Sequence, residues 1–348
     1  MQKDVQTLVE IKSQPAVWQQ CLKDLGAANL HRLAEGRSPS DVEWVFIGCG
    51  TSFYLAQAAV CNFSSLLKVA AKAVPASEVL FNHDLVFPKG MASYYPVLIS
   101  RSGHTSEVLH VAEMLKALNV PFLAVTCDGR ELESMTDRVL KMHVEEKSTV
   151  MTSSFTSMLL GLQFLAATLA ANAEFIEALQ QLPKHLERLL EDYDEEVAHF
   201  AQHPVEDIAV LGQGALYAIA SEVALKVMES SSTFAQFFHT LEFRHGPKSI
   251  AGPSTLVGAL ISESSYQQES AVLLEMKELG SRIFAIVNTA EEELRNSADL
   301  VIELDLPVPE LARLVMYVVW GQLLGSYRGL AKGLNPDIPK NLSRVVTI

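Results

Sequence analysis

The sequence predicts an α/β protein built as two tandem, doubly wound units, each a parallel sheet flanked by helices. Three observations carry this expectation. The apolar run Val45-Phe46-Ile47 enters the glycine-rich turn Gly48-Cys49-Gly50-Thr51-Ser52 and then a helix over 53–67. A second run, Val97-Leu98-Ile99, leads into Ser100-Arg101-Ser102-Gly103-His104-Thr105 and a helix over 107–118. The pattern then restarts about 160 residues later. Val205 to Gly214 repeats the segment ending Gly48-Cys49-Gly50, Leu260-Ile261-Ser262 repeats Leu98-Ile99-Ser100, and Phe284-Ala285-Ile286-Val287 repeats a strand expected at 122–125.

Taken in order, residues 1–40 read as helical, with Leu8, Ile11, Val17, Leu22 and Leu25 on an apolar face broken near Pro15, which suits a packing or dimer-forming arm. After the first two strand–turn–helix units come the strand at 122–125, an apolar segment at 138–144 and the polar turn Glu145-Glu146-Lys147-Ser148-Thr149. A long helix follows at 154–169. The stretch 179–197, rich in Glu, Asp and Leu, reads as a surface helix linking two domains, its charges a solvated face. The expected organisation is a helical arm over 1–25, a first α/β domain over 26–180, a linker helix over 181–200, a second α/β domain over 201–335 and a tail over 336–348.

Composition excludes several classes. With 348 residues, 49% hydrophobic and 20% charged, the chain can bury large cores and carries no disordered tract. The apolar runs at 159–169 and 314–324 are interrupted by Gln163 and by Gly321-Gln322 and read as buried helices, so no membrane association is expected. Met1-Gln2-Lys3-Asp4 has no secretory pattern, which makes the cytoplasm the expected compartment. Cys21, Cys49, Cys61 and Cys127 lack metal or disulfide spacing and are expected to be free thiols; neither a metal nor a cofactor is called for. A net charge of −14 disfavours broad contact with nucleic acid, so a bound phosphate must be held locally, by dipoles and hydroxyls.

The turn Ser100 to Thr105 offers that local site. A strand ending in hydroxyls at a helix start presents unpaired N–H groups at the positive end of the helix dipole, although an ordinary capped helix start reads the same way. Thr51 and Ser52 add hydroxyls on a nearby strand. The second copy has Ala215-Leu216 and Glu263-Ser264-Ser265-Tyr266 at the matching places, so only the first copy is expected to hold phosphate. The second copy instead places Glu222, Lys226 and Glu229 on one helix face, followed by His245 in a Gly-Pro turn. The apolar neighbours Ala220, Val223, Ala224, Leu225, Val227 and Met228 favour burial of part of this triad over a solvated ladder.

Together these stretches resemble the SIS-domain (sugar isomerase) family, most closely the isomerase half of glucosamine-6-phosphate synthase and stand-alone sugar-phosphate isomerases, aminosugar-phosphate deaminases and fructosamine-phosphate deglycases. The resemblance runs from about residue 25 to the C-terminus and includes Met151-Thr152-Ser153-Ser154-Phe155-Thr156, His245-Gly246-Pro247 and Pro339-Lys340-Asn341-Leu342-Ser343-Arg344. It implies two SIS domains, the first binding phosphate through Thr51, Ser52, Ser100, Arg101, Ser102 and Thr105, with Thr149 meeting a sugar hydroxyl. It implies that Glu229 moves a proton between sugar C1 and C2, that Glu222 and Lys226 support it, and that His245 assists ring opening from the neighbouring subunit of a homodimer. Aldose–ketose chemistry needs such a base and such a proton shuttle.

Arg101 stands where the family has glutamine or arginine and is expected to add a fixed charge beside the anion. Arg344 stands where the synthase has lysine; it cannot form an imine and is expected to hold the substrate, with Lys340 nearby and the tail closing the site. No glutaminase portion precedes the isomerase-like unit, so glutamine-fuelled synthesis is not expected. The implied activity is an aminosugar 6-phosphate deaminase/isomerase. Aldose–ketose isomerisation, fructosamine-phosphate deglycation and a non-enzymatic sugar-phosphate sensor follow as alternatives.

Overall fold

The computed structural model describes residues 5–35, 38–344 and 346; the first four residues of the expected arm and positions 345, 347 and 348 of the expected tail lie outside it. The helices run α1 Gln6–Lys12, α2 Gln14–Ala27, α3 Thr51–Leu67, α4 Ala76–Phe81, α5 His83–Val86, α6 Ser106–Ala117, α7 Arg130–Glu133, α8 Ser153–Leu169, α9 Ala173–Phe200, α10 Ala215–Ser231, α11 Tyr266–Glu278, α12 Glu292–Ser297 and α13 Glu310–Ala331. None among the described residues is long and apolar enough to cross a membrane. Two compact units form, each discontinuous in sequence: one from 16–35, 38–146, 153–181, 343, 344 and 346, the other from 5–15, 147–152 and 182–342.

The first unit holds a parallel sheet of β1 Glu43–Gly48, β2 Ala71–Pro75, β3 Tyr94–Ile99, β4 Leu123–Thr126 and β5 Val139–Lys141, in the order β2-β1-β3-β4-β5. The second holds β6 Asp207–Gly212, β7 Phe234–His239, β8 Thr255–Leu260, β9 Arg282–Val287 and β10 Leu300–Glu303, all parallel, ordered β7-β6-β8-β9-β10. The two orders are the same permutation, so the repeat read in the sequence is a repeat of architecture. In this arrangement ligands sit beyond the carboxyl ends of the strands where the order reverses, between β1 and β3 or between β6 and β8.

The central strands are apolar because both faces are covered. Val45, Ile47 and Leu98 pack with Val79, Val108, Val111 and Leu115 in the first unit. Leu211, Val257 and Ala259 pack with Val272, Leu273 and Met276 in the second. The strand-to-helix turns explain their glycines. A Cβ on Gly48 would lie 2.6 Å from the Ser52 carbonyl oxygen, and one on Gly212 2.5 Å from that of Leu216; Gly50 and Gly214 take φ of +54° and +58°. Only glycine meets both demands at little cost.

In the second unit α13 presses on α10 through Gly321, Gly325 and Gly329, spaced by four residues along one face. A Cβ on them would lie 2.5 Å from Val223, 2.9 Å from the Lys226 carbonyl oxygen and 2.2 Å from that of Ser230. Missing side chains thus let the two helix backbones approach along the face of α10 that carries Val223 and Val227. The linker stretch expected at 179–197 belongs to the longer α9; its leucines 179, 182, 186 and 189 are buried, so only its charged side is the solvated face expected.

Candidate active site

In the first unit Thr51, Ser52, Ser100, Arg101, Ser102 and Thr105 all fall at the carboxyl ends of the adjacent strands β1 and β3. Ser100, Arg101, Ser102, Thr51 and Ser52 are buried. The serine turn is built from its own hydroxyls: Ser100 Oγ lies 3.1 Å from Thr105 Oγ1 and accepts from the Gly103 N–H at 3.2 Å, while Ser102 Oγ accepts from the His104 N–H at 3.1 Å. Gly103 has a φ of +64°, and a Cβ there would run into the Gly129 carbonyl at 1.9 Å. Thr105 is the N-cap of α6, yet its hydroxyl caps no backbone N–H of that helix. The first turn of α6 therefore lacks a side-chain cap at the place where an anion is favoured.

Arg101 lies in this turn with its side chain buried. Its guanidinium is 5% exposed and Nη1 donates to Glu146 Oε2 at 2.8 Å, while Nη2 donates to the Arg344 carbonyl at 3.3 Å. Glu146 also accepts from Ser153 Oγ at 3.2 Å, from the Ser154 N–H at 3.1 Å and from the Ser154 hydroxyl, at the start of α8. Burial alone would push the Glu146 carboxyl up; the Arg101 charge and the Ser154 hydrogen bonds outweigh it and hold the group below its ordinary value. Arg344, in the same unit, places Nη2 3.5 Å from Asp128 Oδ2. Burial first, then the neighbouring Glu107 carboxylate, pushes the Cys49 thiol up to about 12, which disfavours the thiolate.

The second unit brings Glu222, Lys226 and Glu229 together on α10. Lys226 Nζ lies 3.4 Å from Glu222 Oε1 and donates to Glu229 Oε2. Glu222 and Lys226 are sealed, whereas the Glu229 side chain is 19% exposed. Burial would lower the Lys226 pKa; the two carboxylates more than offset it, so the ammonium is held in its charged form. His245 is exposed on the turn after Arg244 and is joined to the triad by no hydrogen bond or ion pair among the described residues. Its turn is pinned by Glu275 of α11, which accepts from Arg244 Nε at 2.8 Å and from Lys248 Nζ at 2.7 Å. Thr149 is half-buried in the 147–152 segment. That segment is tied to α1, whose Glu10 accepts from the Lys147 N–H at 2.7 Å and whose Thr7 hydroxyl donates to Ser148 Oγ at 3.2 Å. Lys340 is exposed.

The switch point of the second sheet is filled from within. Glu269 is fully buried and accepts from the Ser262 N–H at 3.1 Å, Ser265 Oγ at 2.7 Å and Thr240 Oγ1 at 2.6 Å. Glu310 accepts from Ser262 Oγ at 3.1 Å and from the Glu263 N–H at 2.8 Å. The sequence reading passed over Glu146, Glu269 and the glycine stripe; the stripe alone left a local signal, glycines at i, i+4 and i+8.

Comparison with known proteins places the chain in a family. The sequence pattern of the SIS domain matches residues 42–168 and again 203–323. The chain is 28% identical over 307 residues to a glutamine–fructose-6-phosphate aminotransferase (isomerizing) of Methanothermobacter thermautotrophicus, covering 87% of this chain and 51% of that protein. It thus spans about half the length of several of the curated relatives it matches. It is 27% identical to a D-galactosamine-6-phosphate deaminase of Shewanella, covering 96% of this chain and 87% of that one. Among solved structures, a glucosamine-6-phosphate deaminase of Thermotoga maritima superposes with a TM-score of 0.79 at 29% identity over 99% of this chain and 100% of that one. A tagatose-6-phosphate ketose/aldose isomerase of Escherichia coli shares the fold, with a TM-score of 0.83 at 22% identity, covering 96% and 95% of the two chains. With both α/β units matched in one chain, this protein belongs to the SIS domain family.

Proposed function

We propose that this chain is an enzyme that deaminates an aminosugar 6-phosphate, using proton transfer between C1 and C2. The observation that carries the reading is the α10 triad: three charged groups held together in an otherwise apolar helix, of which Glu229 alone opens toward solvent and can meet a substrate. A buried ammonium between two carboxylates is costly for stability alone and is better explained as support for a working carboxylate. The serine turn takes the 6-phosphate through Ser52, Ser100, Ser102, Thr105 and the α6 N-terminus, and Thr149 meets a sugar hydroxyl. His245 opens the ring, contributed to the neighbouring subunit of a homodimer. Glu229 then takes the proton from C2 of the open-chain aminosugar and returns it to C1. With one amine proton passing to O1, this leaves an imine at C2, to which water adds; loss of ammonia gives the ketose 6-phosphate. The full-length likeness to two aminosugar-phosphate deaminases supports this choice over synthesis from glutamine.

The test is ammonia release from glucosamine 6-phosphate and galactosamine 6-phosphate, coupled to glutamate dehydrogenase. Glu229→Gln should cut kcat by about 10³-fold, within the range of a lost general base, with substrate affinity retained. Absence of release from both sugars, with aldose–ketose exchange of fructose 6-phosphate intact, would replace deamination by plain isomerisation.

A further inference from the structure

Arg101 is fixed from its main chain outward. Its carbonyl accepts from the Cys127 N–H at 3.1 Å, the Asp128 N–H at 2.9 Å and Thr126 Oγ1 at 3.2 Å, so the serine turn and the 126–128 segment move as one piece. The side chain then divides its two amino groups: Nη1 goes to Glu146, and Nη2 to the main-chain carbonyl of Arg344. Arg344 is gripped again at its other end, where its guanidinium faces Asp128, itself bonded to the Arg101 carbonyl. One residue of the C-terminal segment is therefore held by its backbone to Arg101, in the turn read above as the phosphate site, and by its head group to Asp128, in the segment bonded to that turn.

We propose that Arg101 is a positioning residue that latches the C-terminal segment at Arg344 onto the serine turn, so that anion binding at the turn and docking of the segment stabilise each other. Glu146 aims the latch, because the ion pair fixes the guanidinium plane and leaves Nη2 directed at the Arg344 carbonyl. An anion that orders residues 100–105 orders the carrier of the latch, and by reciprocity a docked segment raises affinity for the anion. The ligand half of this inference rests on the proposed sugar-phosphate function; the latch itself does not.

Hydrogen–deuterium exchange of the peptide containing Arg344 tests it, in the full chain, with and without inorganic phosphate. Arg101→Lys keeps a cation for Glu146 but offers no second arm, and Asp128→Asn removes the other grip while sparing the buried pair. Each should speed exchange in that peptide by about 10-fold without ligand, the equivalent of one lost hydrogen bond or ion contact. Phosphate should slow exchange there in the wild type and not in Arg101→Lys. In turnover, Asp128→Asn should raise KM for the sugar phosphate with kcat held within about two-fold, a split that a general loss of fold would not produce. Exchange at the Arg344 peptide equal to wild type in both variants would overturn the latch. Failure of the sugar-phosphate reading would show separately, as no turnover with the ligand-free exchange contrast intact.

Discussion

The two sheets share one strand order and one strand-to-helix turn, yet their switch points are used in opposite ways. Beyond β3 the serine turn has hydroxyls and an α6 N-terminus without a side-chain cap. Beyond β8 the corresponding N–H and hydroxyl groups are taken by the carboxylates of Glu269 and Glu310. The geometry therefore makes an anion site twice, and the sequence decides whether a ligand or a side chain fills it. A second contrast follows from charge. Glu146 in the first unit is buried against Arg101, whereas Glu269 in the second is buried among neutral donors. Burial pushes the Glu269 carboxyl up, and the Thr240, Ser265 and Ser262 hydrogen bonds only partly offset it.

The largest effect that would sharpen this contrast is on stability. Glu146→Ala removes the buried carboxylate that balances the Arg101 charge and should cost about 3–5 kcal/mol in denaturant unfolding. Glu269→Gln, which leaves no charge behind, should cost on the order of 1 kcal/mol. Equal costs would break the comparison. A smaller effect concerns ligand: Ser102→Ala should weaken binding of fructose 6-phosphate by about 10-fold in calorimetry, whereas Ser264→Ala should leave it unchanged. The smallest is in pH. The ionised form of Glu146 is favoured by folding, so its contribution is present above about 4.5 and fades as pH falls through its depressed folded value. For Glu269 the protonated form is favoured, so its contribution is present below about 4.5 and fades as pH rises through its raised folded value. Melting temperatures of Glu269→Gln should therefore gain on wild type as pH rises from 4 to 8.

Strands β1, β3, β4 and β9 were legible because they are unbroken apolar runs closed by small or polar residues, as buried parallel strands must be. The edge strands β2 and β7 were not. Their side chains are half-exposed, and Phe234 is 61% exposed, so neither shows the apolar run of a central strand. Of the candidate site, the hydroxyl turns and the α10 triad could be read because each is local. Glu146 could not: in sequence it is one charge in a polar turn, and its burial depends on Arg101, 45 residues away. Glu269 is hidden for the same reason, being partnered by Thr240 across 29 residues. Arg101 was visible as a charge, but which partner would claim it lay beyond local pattern.

The glycine stripe of α13 reaches further than packing. It holds α13 against α10, the helix on which the Lys226 side chain lies 1% exposed between two carboxylates. Mobile ions cannot enter that space. Surface pairs such as Arg244–Glu275 weaken as ionic strength rises, whereas the Lys226–Glu222 pair behind Glu229 is shielded from the surrounding electrolyte. The charge behind Glu229 is therefore less sensitive to ionic strength than the surface pairs are.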